Sequence, residues 1–210
     1  MQKHWKLLLE LQSNYQKKSY VVPAHPERQR SYKINHFRDM NNAGPDVCFG
    51  FESMSGHQKS SGRGGYSSSA DGGGTYGGCG IYAAEIGGLW DAMLSEGRGF
   101  WLFANSDYHA NDGDFYPGEY QKTYTHVTQK MNAQAIVDGL RSGNSWVVNG
   151  DLIDSLIFQN RYFRSKRRTC ASMGSNMLIN KGNSIRVTII VRDPQDANFN
   201  TYSSFLLLLL

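Results

Sequence analysis

An Asp and a His two residues apart can grip one cation together, and the chain offers such a pair in Ser106-Asp107-Tyr108-His109. A carboxylate oxygen and an imidazole nitrogen from a single turn form a chelate suited to zinc, manganese or iron. The spacing alone also suits an ordinary turn with a hydrogen-bonded His, so position decides how it is read. The tetrapeptide follows the strand-like run FWLFA at 100–104. Upstream, Ser19-Tyr20-Val21-Val22 leads into Ala24-His25-Pro26, where Pro23 and Pro26 restrict the backbone around His25. A third apolar run, 46–52, ends in Glu52. Its carboxylate suits a bridging ligand or an acid/base, or equally a group holding a nearby backbone amide or Arg. His57 lies in Gly56-His57-Gln58, where a small neighbour lets the chain approach a substrate closely. A His in a glycine-rich loop with no such role fits the same residues.

These side chains need elements to position them. Trp5, Leu8, Leu9 and Leu11 predict an amphipathic helix over 2–16. The run at 46–52 predicts a buried strand, 85–96 a helix ended by Gly97, and 100–104 a strand. Residues 53–80 are rich in Ser and Gly, and 60–74 reads as a disordered insertion within a loop long enough to be functional. A strand is expected over 123–127, a helix over 132–142 with Ala135, Ile136 and Leu140 on one face, and strands at 145–149 and 152–158. Beyond the basic stretch 161–168 the texture changes: 184–192 alternates with period two and is expected to pair with 176–179 through the turn 180–183. Strands that end in candidate ligands predict an α/β fold with its chemistry at the strand carboxyl ends.

The 210 residues suffice for one domain with a sizeable core, or one domain with an appendage. A net charge of +4, from 22 Lys and Arg against 18 Asp and Glu, is modest and implies neither a nucleic-acid nor a membrane partner. Arg161, Arg164, Lys166, Arg167 and Arg168 interleave with Tyr162 and Phe163, a pattern that could touch nucleic acid but reads better as a solvated connector. Cys48, Cys79 and Cys170 form no CxxC pair and are odd in number, which argues against a zinc knuckle and a disulfide framework. No Gly-Lys-Ser/Thr follows the glycine-rich segments, so a nucleotide-binding P-loop is not supported. The run Leu206 to Leu210 is too short to span a bilayer and reads as an artefactual or disordered tail.

Taken as an ordered set, Ala24-His25-Pro26, Phe49-Gly50-Phe51-Glu52, Gly56-His57-Gln58, Gly87-Gly88-Leu89-Trp90-Asp91 and Ser106-Asp107-Tyr108-His109 resemble the PHP (polymerase and histidinol phosphatase) metal-dependent phosphoesterases. The segments Tyr116-Pro117-Gly118-Glu119-Tyr120 and Gly139-Leu140-Arg141-Ser142-Gly143 extend the resemblance, which spans roughly 19–160. It implies a distorted (βα)7 barrel with divalent metal ions at the strand carboxyl ends. It also implies hydrolysis of small-molecule or polymeric phosphate esters by a metal-activated water. By resemblance His25, Asp107 and His109 are metal ligands, and Glu52 and His57 are catalytic residues at the site edge. Arg63 or Arg141 would be available to a phosphate, and Asp91 is read as structural. The family's early His-x-His pair has no counterpart among the six histidines. The expectation is therefore a partial, N-terminally truncated PHP-type barrel over 1–165, impaired in catalysis, followed by a small β-rich extension over 166–205. The alternative is a non-catalytic binding module that keeps the scaffold and uses the β-rich C-terminus as its contact surface.

Overall fold

The computed structural model describes residues 2–26, 32–54, 75–76, 79–108, 121–149, 152–164 and 167–193. In chain order the elements are α1 (Gln2–Asn14), α2 (Ile34–Ala43), β1 (Gly50–Met54), β2 (Thr75–Tyr76), β3 (Cys79–Gly80), α3 (Ile81–Ala84) and α4 (Leu89–Ser95). They continue with β4 (Trp101–Ala104), β5 (Gln121–Thr125), α5 (Ala133–Ser142), β6 (Ser145–Asn149), β7 (Ser155–Arg164), β8 (Arg167–Ser172) and β9 (Ile185–Arg192).

The core forms where three helices cover one face of a parallel strand pair. β1 and β4 run parallel, with Gly50 opposite Trp101 and Glu52 opposite Phe103. Strand side chains alternate between faces, so Phe51 points toward the helices while Gly50 and Glu52 share the other face with Phe103. On the helix side, Leu8 of α1, Phe37 and Met40 of α2, and Leu89 and Met93 of α4 join Val47, Cys48, Phe51 and Phe100 in one buried cluster. Phe37 sits at its centre, 5.6 Å from the Phe51 ring and 5.9 Å from the Phe100 ring. Such tilted and edge-on contacts add to the burial term. Trp5 and Leu11 pack against this cluster, but Leu9 does not: it is exposed, one step round α1 from the buried Leu8.

Three expected elements differ, each for a local reason. The strand expected from 46 begins at Gly50, because the Val47 and Cys48 N–H groups turn back onto the Gly44 carbonyl. The same strand runs on to Met54, which leaves Glu52 inside it. The helix expected over 85–96 starts only at Leu89: Gly87 takes a left-handed φ of 76°, and its N–H donates to Asp91 Oδ2 at 2.6 Å. Asp91 thus caps the turn before α4, the structural part read for it. The pairing of 176–179 with 184–192 is absent. β9 instead pairs antiparallel with β7, from Ser155 opposite Arg192 to Tyr162 opposite Ile185. β7 presents a longer alternating run, with Leu156, Phe158 and Tyr162 facing the same side as Val191, Ile189 and Ile185. The three-stranded sheet β8-β7-β9 therefore begins at Ser155, ahead of the division at 165/166 drawn from the sequence.

The run 19–22, expected as a strand, is not regular strand, but residues 21–23 lie along β1. The Val21 N–H donates to the Val47 carbonyl at 2.9 Å and the Glu52 N–H to the Pro23 carbonyl at 3.0 Å. On the other flank, Thr123 Oγ1 accepts the Ala104 N–H and donates to the Ala104 carbonyl, both at 2.8 Å. That hydroxyl joins β4 to the antiparallel ribbon β5-β6. α5 is capped by Asn132, whose side chain accepts the Ala135 N–H, and it ends at Gly143 in the left-handed conformation. Among the described residues the strands form four small sheets that do not close into a barrel. No described helix is long and apolar enough to cross a membrane. Cys48, Cys79 and Cys170 are free thiols, and burial pushes the Cys48 thiol up to about 12.

Candidate metal centre

β1 and β4 are parallel, so their carboxyl ends lie at one edge of the fold. The segment 21–23 advances in the same direction beside β1 and delivers the turn containing His25 to that edge. Glu52 is 1 % exposed, and its Oε2 accepts the His25 backbone N–H at 2.6 Å. With the Glu52 N–H bonded to Pro23, the turn is clamped to the strand from both sides. The sequence left two roles open for Glu52, and this one is the carboxylate that holds a backbone amide. A charge-assisted bond of this kind fixes a turn more firmly than a neutral one.

Asp107 stands three residues beyond β4. Its N–H donates to Asn105 Oδ1 at 2.7 Å, so Asn105 folds the chain back in a side-chain-stabilised turn. The preceding Ser106 is 5 % exposed, and Asp107 itself is half-buried. Both described candidate ligands share an uncommon backbone geometry with Lys17. Among the described residues, three that are not glycine have positive φ: Lys17 at 64°, His25 at 29° and Asp107 at 49°. Such conformations cost on the order of 1 kcal/mol or more each and tend to gather where a site needs a fixed side-chain direction. For Asp107 the sequence does hold a signal, the Asn two residues before it, whose side chain folds the turn.

His57 and His109 lie outside the described residues, as does Arg63. Among the described residues no group of three or more His, Cys, Asp or Glu side chains is gathered to hold a metal ion. An imidazole and carboxylates match the donor preferences of zinc, manganese or iron. His109, one residue past Tyr108, would join Asp107 through the chelate spacing of the sequence.

Arg141 has a different task from the phosphate contact considered for it. Its Nε donates to the Asp46 carbonyl at 3.0 Å, its Nη1 to Asp138 at 2.7 Å and its Nη2 to the Lys17 carbonyl at 2.5 Å. It ties α5 to the turns after α1 and α2. Asp46 in turn accepts from Gln12 at 2.9 Å and Gln16 at 2.6 Å. The hydrogen bond from Gln12, with help from Gln16, Lys17 and Arg141, holds its carboxyl below the usual range against an opposing desolvation.

A cleft of about 790 Å3 opens beside the Asp107 turn. Phe103, Ala104 and Asp107 line it from β4 and its following turn, Lys122 and Tyr124 from β5, and Ile136 from α5. Tyr124 stacks on Trp146 across the ribbon, with ring centroids 4.4 Å apart. Ile136 and Leu140, expected with Ala135 on one face of the helix, both line this cleft, and Ile136 is 41 % exposed. Of the basic residues at 161–168, Arg161 lies on β7 opposite Cys170 of β8 and is exposed, and Lys166 lies outside the described residues. No family model matches the chain, and no curated protein or solved structure matches it either.

Proposed function

We propose that the chain carries a metal-dependent phosphoesterase centre of the PHP type, with His25, Asp107 and His109 as metal ligands. What supports this reading is that both described candidate ligands sit in positive-φ turns held by side chains: His25 in the turn tied to Glu52 of β1, and Asp107 in the turn after the neighbouring parallel strand β4. The reaction is hydrolysis of a phosphate ester to phosphate and an alcohol. A divalent ion, when bound, supplies Lewis-acid polarisation of a phosphoryl oxygen and a nucleophilic water at neutral pH. The chain's own part is orientation. Glu52 holds the His25 turn by its backbone, and Asn105 holds the Asp107 turn. His57 is assigned to the site edge on the resemblance alone. Imidazole coordinates only in its neutral form, so acid releases the ion.

The test is metal binding by the full chain, read by calorimetry with zinc and manganese, alongside His25→Ala and Asp107→Asn. The expected result is an affinity lowered about 10-fold or more in each variant, as for loss of a ligand or its close support. Equal binding by all three proteins, or none by the wild type, removes the assignment. A second reading is favoured by one feature of the C-terminal sheet. Ile185, Val187, Ile189 and Val191 form a row along one face of β9, each between 40 % and 60 % exposed. Such a row suits a contact surface, as a non-catalytic binding module would need. Metal bound without turnover of any phosphomonoester or phosphodiester favours the module.

A further inference from the structure

We propose that the chain forms a two-fold dimer by antiparallel pairing of β9 with β9 of a second copy, which joins two three-stranded sheets into one of six strands. The proposal deepens the reading of the C-terminal sheet as a contact surface and is independent of the metal assignment.

The edge is the first observation. The sheet order is β8-β7-β9, so among the described residues β9 pairs with β7 on one side only. An edge strand leaves a row of backbone N–H and C=O groups that another strand can take. Natural edges are blunted by charge, proline or a bulge. The opposite edge, β8, opens with the adjacent arginines Arg167 and Arg168. β9 pairs with β7 in unbroken register and exposes every residue from Ile185 to Arg192 except the half-buried Thr188.

The residues of β9 then select the partner. In an antiparallel pair, residues directly opposite one another share a face of the sheet. With the two-fold axis at Thr188, Ile185 of each copy faces Val191 of the other, and Val187 faces Ile189. The exposed apolar row is thus complementary to itself, and all four side chains gain a β-branched mate, a pair type that stabilises sheets. On the other face Arg186 meets Ile190 and Arg192 meets Ser184. No arginine meets an arginine across the axis, and Arg192 is already paired with Asp154 of its own chain at 2.7 Å. Moving the axis to Ile189 sets Arg186 against Arg192 and Ile185 against Asp193; moving it to Val187 leaves Val191 opposite Asn183. Like charges directly opposite are destabilising, so charge and apolar matching select the same register. An interface of this kind is isologous and closes at two copies, with the arginine-bearing β8 edges at the far ends. One strand a side is well short of the roughly 20–30 residues of a standard interface, so the dimer is expected to dissociate at roughly 10–100 µM.

The experiment is sedimentation equilibrium of the full chain from about 1 µM to about 1 mM, a range that brackets that constant. The expected mass rises from 23.6 kDa toward twice that value. Thr188 lies opposite itself, so Thr188→Lys and Thr188→Glu each set like charges across the axis. Each variant alone should self-associate about 5-fold more weakly or worse, and an equimolar mixture of the two should associate more tightly than either, as a mixed dimer. Circular dichroism checks that both variants fold, and recovery in the mixture confirms it. A mass that stays at one chain throughout overturns the proposal and leaves the edge to residues 194–210 or to a strand of another protein. A mass that climbs past two chains also overturns it, as does a mixture that associates no better than either variant alone. If wild type dimerises but both Thr188 variants dimerise equally well, the strand pairing falls. Should Val187→Lys then abolish that dimer, copies meet through the apolar face instead, and the contact-surface reading stands without the edge.

Discussion

Asp46 carries more of the fold than its place in a turn suggests. Its carboxylate takes hydrogen bonds from Gln12 of α1 and Gln16 of the following turn, and its carbonyl takes one from Arg141 of α5. Its folded pKa lies below the ordinary value of 3.8. The sign follows: the stabilisation is complete above that value and disappears as pH falls through the lower, folded pKa. Thermal melts should therefore show wild type above Asp46→Asn at neutral pH, with the gap closing in strong acid; a gap that is constant with pH contradicts the assignment. Of the candidate site residues, Glu52 and Asp107 were legible as lying in or just after apolar strand-forming runs, although β1 continues past Glu52 to Met54. What each does locally was not legible. The bond from the His25 amide to Glu52 joins residues 27 apart in sequence, and no periodicity encodes such a pairing. The left-handed turn at Asp107 was closer to legible, since Asn105 is a common initiator of side-chain turns.

At the scale of the element, β1 depends on a missing side chain. A Cβ at Gly50 would collide with the Phe103 ring and the Trp101 carbonyl oxygen, both on the neighbouring strand. Gly50→Ala should cost about 1–3 kcal/mol in urea unfolding through overpacking and displaced strands. If the proposed metal centre is present, the substitution should also loosen metal binding, because β1, which carries Glu52, and the turn that follows β4 would shift apart. Unchanged stability would mean that the strands separate without strain. Elements with strong local signals were read well: α5 has an Asn cap and a Gly stop, and β6 falls over the residues expected. Elements governed by distant partners were not. The choice between 176–179 and β7 as the mate of β9 turns on which strand offers the longer matching apolar face, and that choice is made in three dimensions.

At the scale of the whole molecule, stability is concentrated on one side of the parallel pair. Phe37 is fully buried among Phe51, Tyr82 and Phe100. Phe37→Ala should cost about 3–5 kcal/mol by emptying the centre of that cluster. Chemical denaturation followed by tryptophan fluorescence measures it, and a loss under about 1 kcal/mol would mean the cluster refills the space. The mix of helices and strands was legible from the alternation of helix-like and strand-like runs, whereas closure into a barrel is a matter of how many strands meet and at what tilt, which no single run reports. One seam links the C-terminal sheet to the body with almost no side chain at all. Gly174, at φ 75°, lies against the Ser142 carbonyl and the backbone of Gly143, and Gly143 in turn lies under the Trp101 indole. The seam works like a dovetail cut in bare main chain: neither half can be thickened without prising the other away. Drift elsewhere in the sheet can recolour its surface, but here the alphabet has a single letter, and any other would swing three strands outward as one leaf.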